Sequence, residues 1–246
     1  MGCADDGGAR RGPPWSGRGG SVGSAEKLGV ARSVPRRIVE RLSSWLDRRK
    51  PHQRAGFALY TAAVAAARAP ALFGPGYAAP DTLDGRFDLV GLHVALLIRR
   101  LRHDPDPRGP ALAQAVFDAM FSDMDQTLRE MGVGDLVVGK RVKRMWEAFH
   151  GRARAYEAAL TAGDEAALAL ALARNVWRGA APGTEADGAT PAAPARHLAA
   201  YARAVDAALA QQPLDALAAG QVAFPAPPSA PAATPAETEP ADAAPA

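Results

Sequence analysis

Apolar side chains recur every three or four positions along the middle of the chain, the period of helices buried along one stripe, and no stretch of useful length alternates as a strand would. In "RIVERLSSWLDRR", Ile38, Val39, Leu42, Trp45 and Leu46 fall on one stripe, with Arg36, Arg37, Arg41, Arg48 and Arg49 mostly around it. A second segment, "HQRAGFALYTAAVAAARA", is rich in alanine and stops at Pro70, whose ring disfavours helix in the residue before it. "PDTLDGRFDLVGLHVALLIRRLRH" is apolar nearly all round from Phe87 to Leu101, which predicts a central helix with Asp81 or Asp84 capping its start. The next segment shows an inward face of Leu112, Val116, Phe117, Met120, Phe121, Met124, Leu128 and Met131, and Gly132 and Gly134 end it. Asp135 then caps a long helix that turns Leu136, Val142, Met145, Trp146, Phe149, Tyr156 and Leu160 inward. "DEAALALALARNVW" and "ARHLAAYARAVDAALAQQ" predict two more helices. The expected fold is all-α, an antiparallel helical bundle.

Composition sets its limits. A Gly/Arg/Ser-rich arm, residues 1–34, and a Pro/Ala-rich tail, residues 225–246, carry too little apolar surface to offset chain entropy, so both are expected to be disordered. The helical domain is expected over 35–224, interrupted by a long loop around Gly179 to Ala195. A domain of this size buries about 70% of its unfolded surface and needs no staples. The single Cys3 can form neither an internal disulfide nor a zinc site, which fits a reducing compartment. The longest apolar run, Phe87 to Ile98, falls short of the roughly 20 residues that cross a bilayer. The N-terminal arm lacks the apolar core of a secretory signal, and Asp6 stands where a myristoylation signal needs Ser or Thr. A net charge of +3 is small, so local patches matter more than the total.

Most candidate chemistry fails on its own requirements. Glu147 and His150 have the spacing found in di-iron bundles, but those sites need a second such pair and two further glutamates, so no metal or other cofactor is expected. Gly134, Gly139 and Lys140 imitate a phosphate loop, yet Arg141 stands where Ser or Thr belongs and no strand precedes. No nucleophile elbow exists, and no catalytic constellation is expected. His93, inside the most apolar helix, reads at least as well as a structural histidine as a functional one. What survives is a change of sign across the predicted turn: Asp123, Asp125 and Glu130 before it, Lys140, Arg141, Lys143 and Arg144 after it. At about 100° per residue Lys140 and Arg144 share a face, Arg141 adjoins it, and Lys143 lies across the apolar stripe. Two readings stay open, ordinary solvated surface or a docking site for an anionic partner. Two also stay open for the first helix, whose arginines and Trp45 suit either a membrane surface or packing on the bundle.

"LYTAAVAAARAP", "PDTLDGRFDLVGLHVALLIRRL", "DMDQTLREMGVGDLVVGKRVKRMWEAFHGRARAYEAAL" and "GQVAF" together resemble the ubiquinol–cytochrome c chaperone family, over roughly Leu59 to Phe224. The most specific strings are Pro80-Asp81-Thr82, Asp84-Gly85-Arg86-Phe87, Leu128-Arg129-Glu130, Gly132-Val133-Gly134-Asp135 and Lys140-Arg141-Val142-Lys143. The resemblance implies a non-enzymatic helical scaffold, an assembly factor attending newly made cytochrome b, or another subunit, during construction of respiratory complex III. On that reading the basic cluster is a candidate partner surface together with Arg129 and Glu130, and Gly132, Gly134 and Asp135 shape the turn. Asp81, Asp84 and Arg86 organise the loop and cap before the central helix, with docking as their second reading. The resemblance also brings in the ribosome as a partner; an anionic membrane surface is a further candidate, and DNA is not expected. His150 stands where the family pattern has an aromatic residue such as Tyr, which argues against a family metal motif. The expected place is the cytoplasm, peripheral to the inner membrane, in a bacterium, or the matrix side in a mitochondrion. The competing reading is a ribosome- or RNA-associated helical adaptor.

Overall fold

The computed structural model describes residues 36–179, 181 and 190–229, with only the backbone described for 36–51 and Leu136. These residues form seven α-helices and no strand: α1 (Arg36–Ala67), α2 (Leu83–Arg102), α3 (Arg108–Glu130), α4 (Asp135–Ala162), α5 (Glu165–Val176), α6 (Ala193–Ala210) and α7 (Leu214–Ala218), with a 3₁₀ turn at Pro70–Phe73. The all-helical expectation holds. The chain divides into two compact units, one ending at Leu42 and one from Ser43 onward. The arm 1–34 with its Cys3, the tail beyond Ser229, most of the long loop and the Trp45 stripe lie outside what is described.

The two helices expected before Pro70 are one. Pro51 forfeits a single backbone hydrogen bond, and the helix-favouring Leu, Arg, Lys, Gln and Ala around it outweigh that loss. α2 is the central helix its all-round apolar sequence predicts. It packs against α3, α4, α5 and α6, with Leu89, Leu92, Val94, Leu96, Leu97 and Leu101 buried. α5 and α6 pack on each other and α7 closes against α3.

Three expectations are corrected at helix ends. Neither Asp81 nor Asp84 caps α2: the Thr82 hydroxyl accepts from the Gly85 N–H at 3.1 Å, because Thr82 holds the extended backbone of the cap position. Asp135 lies inside the first turn of α4 while Gly134 takes the cap position with no side-chain bond, which frees the Asp135 carboxylate for Arg129. Met131 is not core: it is the C-cap of α3, more than half exposed.

Along α4 the inward stripe is Val138, Val142, Met145, Phe149 and Tyr156, fully buried only at Val138, Phe149 and Tyr156. Trp146, one residue past Met145 and so rotated by about 100°, is 45% exposed, which corrects its placement in the core. The boundary at Pro225 also moves. After α7 the chain turns at Gly220, whose φ is +80°, and runs on as an extended strap. The Tyr201 hydroxyl faces the Pro225 carbonyl at 3.3 Å, and the Tyr77 hydroxyl donates to that of Pro228 at 3.1 Å. A proline-rich segment without a core of its own is thus ordered at least to Ser229 by lying on that of the bundle.

Candidate functional site

The turn between α3 and α4 is made by backbone arithmetic. Gly132 takes the left-handed conformation at φ +77°, its N–H donates to the Arg129 carbonyl at 2.9 Å, and the Val133 N–H reaches back to Leu128 at 3.1 Å. These bonds satisfy the last carbonyls of α3, and the left-handed residue reverses the chain. Arg129 locks the corner from outside, donating to Asp125 at 2.6 Å and to Asp135. The bond to Asp125, with smaller help from Asp135, raises the Arg129 guanidinium above its usual range. Glu130 accepts from Gln126 at 2.8 Å, and Asp123 accepts from the Tyr60 hydroxyl at 2.7 Å. The acidic side of the hairpin is therefore largely engaged within the chain.

The basic side is not. Lys140, Arg141, Lys143 and Arg144 are all exposed. Lys143 lies 3.8 Å from Glu147, while Lys140, Arg141 and Arg144 have no ion-pair partner among the described residues. Three exposed apolar side chains lie on the same hairpin, Met131 at its turn and Val137 and Trp146 on α4. Trp146 is stacked on His150 with ring centroids 4.1 Å apart, and the His150 Nδ1–H donates to the Trp146 carbonyl at 2.9 Å. Glu147 and His150 thus face different partners, and no group of residues fit to hold a metal occurs among the described residues.

Asp81, Asp84 and Arg86 come together elsewhere, at the start of α2. Arg86 donates to Asp81 at 2.6 Å, which holds the Asp81 carboxyl below the usual carboxylate range, and Asp84 lies 3.9 Å from Arg178. No bond joins this set to the basic row.

The residue that sequence reasoning missed is Asp88, one turn further along α2. Its side chain is wholly buried, bonded by Arg152 of α4 and 3.1 Å from the Arg178 guanidinium after α5. Burial pushes its carboxyl up to about 6, against the pull of Arg152 and then Arg178. Next to Arg178, the Trp177 indole N–H donates to the Ala78 carbonyl at 2.8 Å, and Ala78 and Arg178 both hold positive φ. The signal was available as a charge set among the apolar positions of "FDLVGLHVALL", since a carboxylate on a surrounded helix needs a cation. His93 is likewise buried, its Nδ1–H donating to the Leu89 carbonyl at 2.8 Å and its Nε2 facing the Tyr201 hydroxyl at 2.9 Å. These are bonds of a structural histidine.

Comparison with known proteins places this arrangement. The family model described as ubiquinol-cytochrome C chaperone matches residues 77–224, more than half of the chain, from the turn before α2 to the strap. The chain belongs to the ubiquinol–cytochrome c chaperone family. A crystal structure of the Cbp3 homolog from Brucella abortus superposes with a TM-score of 0.62 at 34% identity, over 77% of this chain and 99% of that one. The ubiquinol-cytochrome-c reductase complex assembly factor 1 of Xenopus laevis is 27% identical over 97 residues, which cover 39% of this chain and 48% of that relative. The match thus spans about half the length of the curated relative. The stretch shared with the ubiquinol–cytochrome c chaperone family takes in α2 to α7, and so the basic row, the hairpin turn and the buried Asp88 ion pairs. No helix among the described residues is long and apolar enough to cross a membrane.

Proposed function

We propose that this protein is a non-catalytic assembly factor for ubiquinol–cytochrome c reductase, respiratory complex III, and that its client is newly made cytochrome b. Family membership and the name of the Xenopus relative support the assembly role. The observation that carries the docking surface is the exposed set Lys140, Arg141, Lys143 and Arg144 on a hairpin that also exposes Met131, Val137 and Trp146. Lys140, Arg141 and Arg144, without ion-pair partners among the described residues, steer an anionic surface into contact, and exposed Trp and Met supply the apolar grip of interface cores. Arg129 and Glu130 serve this surface by shaping the hairpin, and Asp81, Asp84 and Arg86 form a secondary contact at the start of α2. The protein works at the cytoplasmic face of the inner membrane, where anionic lipid reinforces client binding, or on the matrix side in a mitochondrion.

The test is genetic and biochemical. Deleting the gene should lower assembled complex III, read on native gels and by haem-b spectra of membranes, while unrelated respiratory complexes persist. A copy carrying Lys140→Glu, Arg141→Glu and Arg144→Glu should fold yet fail to restore it. Normal complex III in the deletion strain under respiratory growth would refute the assembly role, and full rescue by the triple variant would return the row to ordinary surface. The adaptor reading predicts instead that association is abolished by ribonuclease and falls with added salt in proportion to the phosphates contacted. Trp146, already stacked on His150, is the exposed aromatic of this hairpin, which is a poor platform for unpaired bases.

A further inference from the structure

The strap from Gln221 to Ser229 lies in the bundle as a peptide lies in a receptor. Gln212 holds both backbone groups of Ala223: its Nε2 donates to the Ala223 carbonyl at 2.7 Å, and its Oε1 accepts from the Ala223 N–H at 2.9 Å. The Phe224 ring meets His93 edge-on at 5.6 Å. Beyond it stand Tyr201 and Tyr77, themselves edge to face at 6.2 Å. Tyr77 donates its hydroxyl to the Pro228 carbonyl at 3.1 Å, while the Tyr201 hydroxyl, whose one proton points to His93 Nε2, lies 3.3 Å from the Pro225 carbonyl. Pro225, Pro227 and Pro228 have no N–H to offer, so a groove that meets them with aromatic walls and a hydroxyl donated to the Pro228 carbonyl has the chemistry of polyproline recognition.

The groove is also built to be vacated. With Nδ1–H of His93 committed to Leu89, its Nε2 is an acceptor, so the Tyr201 hydroxyl keeps a partner at 2.9 Å when the Pro225 carbonyl leaves. Gln212 Nε2 has a second acceptor in the Ala208 carbonyl at 3.3 Å. Arg100 donates to the carbonyls of Leu209 and Gln212 at 3.0 and 2.8 Å, which holds this end of α6 in place whether or not the strap is present. Strap departure therefore leaves Tyr201 and the Gln212 Nε2 with partners inside the bundle, and Tyr77 exchanges its bond to Pro228 for water as the strap uncovers it. On its other side the strap is half open to solvent: Ala223, Ala226 and Pro228 are exposed.

We propose that the groove formed by Tyr77, His93, Tyr201 and Gln212 is a binding site for an extended peptide bearing an aromatic residue followed by prolines, filled in cis by residues 222–228 and taken in trans by a partner segment of that chemistry. The occupant is defined by the one already seated there. A cis ligand lowers the apparent affinity for a competing peptide by the fraction of time the groove is open.

A fluorescein-labelled peptide of residues 220–229 is the probe, titrated by anisotropy into the full chain. The Phe224→Ser chain, its strap loosened, should bind this peptide roughly tenfold or more tightly than the wild type does. Adding Gln212→Ala or Tyr77→Phe should weaken that binding, and a peptide with Ser in place of its Phe should not bind. Hydrogen exchange in the unaltered protein gives a second reading. The Ala223 amide should exchange through local opening, at least about a hundredfold faster than the Leu96 amide of α2. A folded Phe224→Ser chain that ignores the peptide overturns the proposal. If that variant does not fold, exchange at Ala223 no faster than at Leu96 overturns it instead, because the strap would then be part of the core.

Discussion

At the scale of single residues, two buried ionisable groups on α2 pull the pH dependence of stability in opposite directions. Burial holds the Asp88 carboxyl at about 6, so the folded chain takes up a proton before the unfolded chain does. Folding is therefore favoured through Asp88 as pH falls, by about 1 kcal/mol between pH 7 and pH 5. Burial pushes His93 down to about 4, so the unfolded chain binds the proton first. The stability His93 contributes is present above its ordinary value near 6.5 and lost as pH falls toward 4, about 2 kcal/mol of it by pH 5. Urea melts at those two pH values should show Asp88→Asn more acid-sensitive than the wild type and His93→Gln less so. Equal pH slopes in all three would remove both buried groups from the account. Asp88 escaped the sequence reading for a physical reason. Periodicity reports which positions are apolar, whereas the meaning of Asp88 lies in Arg152 and Arg178, both remote in sequence.

Elements were the most legible scale, because a 3.6-residue apolar stripe needs no partner to be recognised. The hairpin is the clearest case. Gly132, Gly134 and the change of sign across them were visible, and the structure adds that Gly132 alone carries the left-handed conformation. Gly132→Ala should cost about 1 kcal/mol by thermal melting, since nothing lies near enough to clash and only the backbone term remains. A neutral result would mean that the turn relaxes to another geometry. Less legible was rotation about each helix axis. Trp146 looked like core because it neighbours Met145 in sequence, and the flank a large side chain takes depends on where α3 lies. Which acids and bases would pair was equally hidden: Asp135 reads as a cap until Arg129 is seen to hold it.

At the scale of the molecule, α2 is the wall that α3, α4, α5 and α6 share, so the bundle from Ser43 onward should melt as one unit. Leu92→Ala, at a fully buried position, should cost about 2–5 kcal/mol and shift the whole circular dichroism transition rather than split it. Two resolved transitions would show that the helices around α2 fold independently. Gln221 to Phe224 already fell within the expected domain. The docking of the strap from Pro225 onward lay beyond sequence reasoning, since a proline-rich run carries no period and reads as a tail wherever it lies.

Its course is set at one corner. A Cβ on Gly220 would sit 2.9 Å from that of Ala58 on α1, at a backbone angle L side chains rarely adopt. The strap therefore sets out from a corner packed directly on the first helix of the bundle, with no room for a side chain between the two, so the fit of Gly220 on Ala58 fixes where the chain starts toward Tyr201. Gly220→Ala should deprotect the Ala223 amide while leaving that of Leu96 slow to exchange.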